Sequence, residues 1–140
     1  MAGKARDIMT GSPECLKQND SITDAAKKLS KLSVGSMPIC GDDNRLKGMV
    51  TDRDIVVKVL AEDQDPSSVK VIELAQGKPV TIGADDSIGE VIKTMADHQV
   101  RRLPVIDGHD LVGIISTADV ARNVSDDAEK GQLLEFISMP

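Results

Sequence analysis

Val34-Gly35-Ser36-Met37-Pro38-Ile39 returns 66 residues later as Val100-Arg101-Arg102-Leu103-Pro104-Val105. Upstream, Ser21-Ile22 returns at the same offset as Ser87-Ile88. Downstream, after a deletion in the intervening turn, Leu46-Lys47-Gly48-Met49-Val50-Thr51-Asp52-Arg53-Asp54 returns as Leu111-Val112-Gly113-Ile114-Ile115-Ser116-Thr117-Ala118-Asp119. A repeat this long is a structural unit and decides the fold before any single element does. It divides the chain of 140 residues into 1–66 and 67–140, the second half carrying a C-terminal tail. Each half alone buries little of its surface, so two subdomains sharing one core are expected.

Within each copy the pattern reads strand, helix, strand, strand, helix. Glu14-Cys15-Leu16 is a short strand, and Pro79 to Ile82 is its counterpart. Helices follow from Ser21, with Ile22, Ala25, Ala26, Leu29 and Leu32 on one face, and from Ser87, with Ile88, Val91, Ile92 and Met95. Ser21 with Asp24 resembles a capping box, and Ser87 with Glu90 is its standard form. Proline suits the start or edge of a strand because it cannot donate to a ladder. Met37-Pro38-Ile39-Cys40 and Leu103-Pro104-Val105-Ile106 are therefore strands, each turning through Gly41-Asp42-Asp43-Asn44 or Asp107-Gly108-His109-Asp110 into a partner. Those partners are Lys47–Val50 and Leu111–Ile115, and a further helix begins at Thr51 or Ser116. Glu62 to Ser68 has a linker's composition. Val71–Ala75 before the second copy matches Asp7-Ile8-Met9-Thr10 before the first. The tail from Glu129 to Ile137 reads as a helix whose Leu133, Leu134, Phe136 and Ile137 need a surface, expected on another subunit.

Composition narrows the function. A net charge of −6 and a single aromatic residue, Phe136, argue against nucleic-acid binding, which needs clustered cations or stacking rings. No apolar run has the length of a membrane span, and the charged Met1–Asp7 lacks the apolar stretch of a signal peptide. A cytoplasmic location is expected. There Cys15 and Cys40 are expected to be reduced, buried thiols, the alternative being a disulfide between neighbouring strand ends. His98 falls at a helix end and His109 in a turn, without the convergent Cys/His spacing of a metal site. No metal and no required cofactor are expected. No nucleophile–base order, P-loop or Gly-x-Gly-x-x-Gly is present, so the chain is not expected to be an enzyme.

The chemistry-bearing signal is Gly-x-x-Thr/Ser-x-x-Asp, found as Gly48…Thr51…Asp54 and Gly113…Ser116…Asp119. A hydroxyl at N-cap with an acid at N3 satisfies the first amides of a helix. The same start presents a hydroxyl, a carboxylate and the positive end of the dipole to an anion or a diol.

These segments, with Asp7-Ile8-Met9-Thr10 and the two proline strands, resemble tandem cystathionine-β-synthase (CBS) domains, the pair called a Bateman module. The resemblance runs from about Ala5 to Val124. It implies an α/β fold of two β-α-β-β-α repeats packed through their sheets about a pseudo-two-fold axis, often assembled as a homodimer. It also implies two clefts for adenosine-containing ligands such as AMP, ATP, NAD or S-adenosylmethionine. Thr51 and Asp54 would serve one cleft, Ser116 and Asp119 the other. Met37, Pro38, Leu103 and Pro104 would line the base pockets.

The copies differ where Arg101 and Arg102 replace Gly35 and Ser36, and where Asp52 stands for Thr117. Two arginines offer a phosphate clamp, and Asp52 adds repulsion, so the second copy's cleft is expected to bind a phosphorylated nucleotide better. The competing reading gives the arginines only surface ion pairs. The expected role is a regulatory sensor of an adenine nucleotide acting on a separate, unidentified protein. The alternative is a ligand-free scaffold dimer.

Overall fold

A computed structural model describes residues 3–75 and 77–139. Along the chain run α1 (Ala5–Ile8), β1 (Thr10–Gly11), β2 (Leu16–Lys17), α2 (Ile22–Leu32), β3 (Ser36–Cys40) and β4 (Leu46–Thr51). Next come α3 (Asp52–Asp54), which continues as a π-helical stretch over Ile55–Leu60, and a 3-10 turn at Val71–Leu74. Then follow β5 (Ile82–Gly83), α4 (Ile88–His98), β6 (Arg102–Asp107), β7 (Asp110–Ser116), α5 (Thr117–Asn123) and α6 (Asp127–Ile137).

Two compact units form, and they do not coincide with the two repeats. One spans Glu14–Pro79; the other joins the described residues up to Pro13 to those from Val80 onward. Each repeat therefore gives its leader away. The 3-10 turn before the second repeat folds with the first, burying Val71 and Leu74 among Leu16, Ile22, Leu29 and Val50. The leader of the first repeat folds with the second, burying Ala5 and Ile8 among Val91, Met95, Leu103 and Val120. Each unit has its own core cluster, closed by apolar residues from outside its own repeat.

In the Glu14–Pro79 unit the sheet order is β2-β3-β4, parallel then antiparallel. Ser21 caps α2 with a full capping box through Asp24. At the other end Ser33 takes the left-handed conformation and Val34 N–H donates back to Leu29 O, a Schellman-type stop. Ile22, Ala25 and Leu29 are buried, whereas Ala26 and Leu32 face solvent. The apolar stripe is narrower than the sequence periodicity suggests. The helix after Thr51 departs from α geometry: Ala61 N–H donates to Val56 O, a five-residue step. Ile55-Val56-Val57 is β-branched, and such residues crowd the preceding turn of an α-helix.

In the other unit the sheet order is β1-β7-β6-β5. β6 and β7 pair antiparallel, β5 lies parallel to β6, and β1 adds antiparallel to β7 through Thr10↔Ile114 and Gly11↔Gly113. The whole α4 stripe, Ile88, Val91, Ile92 and Met95, is buried as its spacing requires. Ser87 Oγ accepts from Glu90 N–H, but Glu90 does not return the bond, so the full capping box belongs to the first copy's helix and not to this one. Asp126 caps α6, and Leu133 and Phe136 bury into this unit's own core. Leu133 and Phe136 thus cover their own chain, because residues at i and i+3 share the face that reaches α4 and α5, whereas Leu134 and Ile137 remain exposed.

The leader is held by polar bonds as well. Ala5 N–H donates to Asp86 O (2.8 Å) and Arg6 N–H to Ala84 O (2.9 Å). The Arg6 guanidinium reaches Asp85 (2.9 Å) and Asp107 (3.3 Å). The hydrogen bond from Arg6 is the main cause holding the Asp85 carboxyl below its ordinary value. A carboxylate depressed in the folded state stabilises it above the unfolded pKa, about 3.9, and ceases to as pH falls through the folded value. We therefore expect the leader to fray first on acidification. Amide exchange at Ala5 and Arg6, corrected for intrinsic rates, should accelerate below about pH 4 before α4 changes, and more weakly at high salt. Simultaneous loss across both segments would contradict this.

Candidate functional site

β4 and β7 each run directly into a helix, and at both junctions the same constellation forms. Asp54 N–H donates to Thr51 Oγ1 (3.0 Å), and Thr51 N–H donates to Asp54 Oδ2 (3.0 Å). In the second copy Asp119 N–H donates to Ser116 Oγ (3.2 Å), and Ser116 N–H donates to Asp119 Oδ2 (2.9 Å). The next residue ties the junction to the residue just ahead of the neighbouring strand, β3 or β6: Asp52 N–H donates to Gly35 O (2.9 Å) and Thr117 N–H to Arg101 O (3.0 Å). Gly35 and Arg101 are thus brought beside Thr51 and Ser116, as the repeat alignment requires.

Each carboxylate keeps one oxygen outside its cap, and a cation of the same helix takes it. Lys58 Nζ lies 3.4 Å from Asp54 Oδ1, and Arg122 Nη2 lies 2.7 Å from Asp119 Oδ1. The Asp119 side chain is 12% exposed against 25% for Asp54. A diol approaching either carboxylate must share it with these cations, and the second copy holds its acid more tightly. Neither cation follows from the Gly-x-x-Thr/Ser-x-x-Asp pattern, though i,i+3 and i,i+4 spacing from the acid is the signal that finds both.

The arginine pair does not act together. Arg101 lies over the Phe136 ring, 5.6 Å from its centroid, and its Nη2 donates to Ile137 O (3.4 Å). Arg102 begins β6, half-buried, and makes no ion pair among the described residues. The surface ion pairs of the competing reading are likewise not what holds Arg101. In the first copy the Asp52 carboxylate packs toward Gly35: a Cβ there would lie 3.4 Å from Asp52 Oδ2. The expected extra negative charge is in place.

Met37 and Leu103 are buried in the cores of their units, and Pro38 and Pro104 are buried beside them. The leading glycine of each motif has a role that sequence reading missed. A Cβ on Gly48 would fall 2.6 Å from Ala75 Cβ, and one on Gly113 would fall 2.8 Å from Met9 Cγ and 3.0 Å from Thr10 O. Both glycines clear a seat for the exchanged leaders.

Cys15 and Cys40 are joined by a disulfide, the alternative to the favoured reduced thiols. β2 lies parallel to β3 with Leu16 opposite Ile39, and this places the two strand ends side by side. His98 Nδ1 lies 3.1 Å from Thr94 O at the end of α4, and His109 is exposed in the β6–β7 turn. Among the described residues no three His, Cys, Asp or Glu side chains converge as a metal site would require, and no helix is long and apolar enough to cross a membrane.

The family model of the CBS domain matches twice, over residues 5–61 and 71–126. The chain belongs to the CBS-domain family. It is 46% identical over 124 residues to hypoxic response protein 1 of Mycobacterium tuberculosis, covering 89% of this chain and 87% of that one. A crystal structure of Hypoxic Response Protein I, with two coordinated zinc ions, superposes with a TM-score of 0.82 at 46% identity, covering 87% of this chain and 99% of that one. The CBS domain pair of protein MJ0100, solved with 5′-methylthioadenosine and S-adenosyl-L-methionine, gives 0.75 at 30% identity, covering 85% and 93%. The hexameric CBS-CP12 protein from bloom-forming cyanobacteria gives 0.77 at 30% identity, covering 92% and 75%.

Proposed function

We propose that this CBS pair is a cytoplasmic regulatory module that binds an adenosine-containing nucleotide and acts on a separate protein. The observation that carries the reading is the doubled hydroxyl–carboxylate junction, Thr51 with Asp54 and Ser116 with Asp119, in a family where the MJ0100 pair was solved with adenosine derivatives. The carboxylates accept from a ribose diol, and the Thr51 or Ser116 hydroxyl, which accepts from the Asp N–H, donates its own proton to phosphate. Both copies are assigned this role. The cleft served by Ser116 and Asp119 is the better phosphate site, since Asp52 opposes phosphate at the other and its counterpart here is the uncharged Thr117. No residue set for covalent or acid–base chemistry accompanies either junction, which favours regulation over catalysis.

The test uses the chain's lack of Trp and Tyr. Co-purified nucleotide will show as a band near 260 nm over almost no protein absorbance. Thermal shifts with AMP, ATP, NAD and S-adenosylmethionine then rank the ligands. A clean spectrum with no shift from any of the four leaves the ligand-free scaffold as the surviving reading.

Homodimerisation is part of the proposal. Val56, Val57 and Leu60 are exposed on the π-helical stretch, while their counterparts in the second copy are Ala121, Arg122 and Ser125. An apolar face retained in one copy alone favours a like-with-like contact about a two-fold axis. Light scattering should report a dimer for the wild type and a monomer for Val57→Glu; an unchanged mass for the variant places the contact elsewhere.

A further inference from the structure

We propose that the Cys15–Cys40 disulfide is a reversible redox clasp on β2 and not a staple the fold requires. The molecule supplies its own control. In the second repeat β5 makes the same parallel pairing with β6, Ile82↔Val105 and Gly83↔Ile106, that β2 makes with β3, Leu16↔Ile39 and Lys17↔Cys40. The register shift at the end of the longer strand is also repeated, between Ile39 and Cys40 and between Val105 and Ile106. At the positions of Cys15 and Cys40 the second repeat has Thr81 and Ile106. The pairing thus forms without a cross-link, and the buried Leu16 side chain anchors β2 whether or not the sulfurs are bonded.

Placement gives the bond a task. Residues 10–11 pair with β7 in one unit, and residues 16–17 pair with β3 in the other. The chain passes between them through Ser12–Cys15, with Ser12 in the left-handed region at φ 50°. The cystine fixes one end of that four-residue tether. In the reducing compartment of the cytoplasmic reading above, on which this step rests, a cystine that does form is typically a transient, redox-responsive one.

Cys15 is half-buried and Cys40 is buried, so attack comes at Cys15 Sγ. A dithiol reductant's thiolate bonds to Cys15 Sγ, the Sγ–Sγ bond breaks, and Cys40 departs as thiolate and takes a proton. The reductant's second thiolate then displaces Cys15, which also takes a proton, and leaves as a cyclic disulfide. Two electrons have passed to the protein, and an oxidised dithiol reverses the sequence.

The test is hydrogen exchange on the full chain, oxidised and after treatment with dithiothreitol. Reduction should accelerate exchange at least tenfold across Ser12–Gln18 and leave α2 and the β3–β4 hairpin unchanged, with recovery on reoxidation. Cys15→Ser should exchange like the reduced protein and ignore the reductant. Two results would overturn the clasp: equal exchange in the two states, or cooperative loss of protection across Glu14–Pro79 on reduction. Neither depends on whether a nucleotide binds.

Discussion

Phe136→Ala should destabilise the unit that α6 covers by about 3–5 kcal/mol, the range for truncating a buried aromatic. Phe136 is 4% exposed among α4 and α5 side chains, and it carries the Arg101 guanidinium on its ring. Truncation removes the transfer free energy of the ring, opens a cavity and releases Arg101 together. One physical limit applies. If α6 detaches as a whole, the loss stops at the helix's docking free energy, and Leu133 is exposed with it. Chemical denaturation separates the cases: a fall near the full range means α6 stays docked over a cavity. A smaller fall with loss of about one 11-residue helix of circular dichroism means release. Phe136→Leu keeps most of the volume and should recover most of the stability. A change below about 1 kcal/mol would put Phe136 outside the core, against the burial described.

Asp119→Ala should lower AMP affinity at least tenfold and cost about 1–2 kcal/mol of stability. The stability part follows from the cap, since Ser116 N–H loses the carboxylate that accepts from it. The affinity part follows from the nucleotide reading, in which the same carboxylate accepts charge-assisted bonds from the ribose. Asp119→Asn divides the two. Its amide oxygen still accepts from Ser116 N–H, so stability stays close to wild type, while the charge opposed by Arg122 is gone and AMP binding still weakens. Asp54→Ala is the comparison in the first copy, where Asp52 repels phosphate, and its effect on AMP should be the smaller one. Titration calorimetry on the three variants reads the affinities, and chemical denaturation reads the stabilities. Unchanged AMP affinity in Asp119→Ala removes Asp119 from the site and leaves it as a helix cap.

Much of the fold can be read from the sequence because its information is local and stated twice. The α4 stripe, the proline strands, the turns at Gly41–Asn44 and Asp107–Asp110 and the caps at Thr51 and Ser116 each need only a few neighbouring residues. What escapes is non-local. Arg101 and Phe136 are 35 residues apart, and nothing in either segment announces that the guanidinium will lie over the ring. Cys15 and Cys40 become neighbours only through the parallel pairing of β2 with β3. The identical offset of both leaders hides their exchange, since an alignment of repeats pairs each leader with the copy that follows it. The π-helical stretch is legible in hindsight from its β-branched run.

The seat that Gly48 and Gly113 clear for those leaders has a consequence for how this chain can be cut or copied. Neither repeat is a genetic cassette. A fragment ending at residue 66 keeps a leader that closes the other unit and lacks Val71 and Leu74; a fragment starting at 67 lacks Ala5 and Ile8. Each would expose one apolar seat and carry one orphan plug. The two fragments together hold every part, so mixing them is the condition under which either should fold.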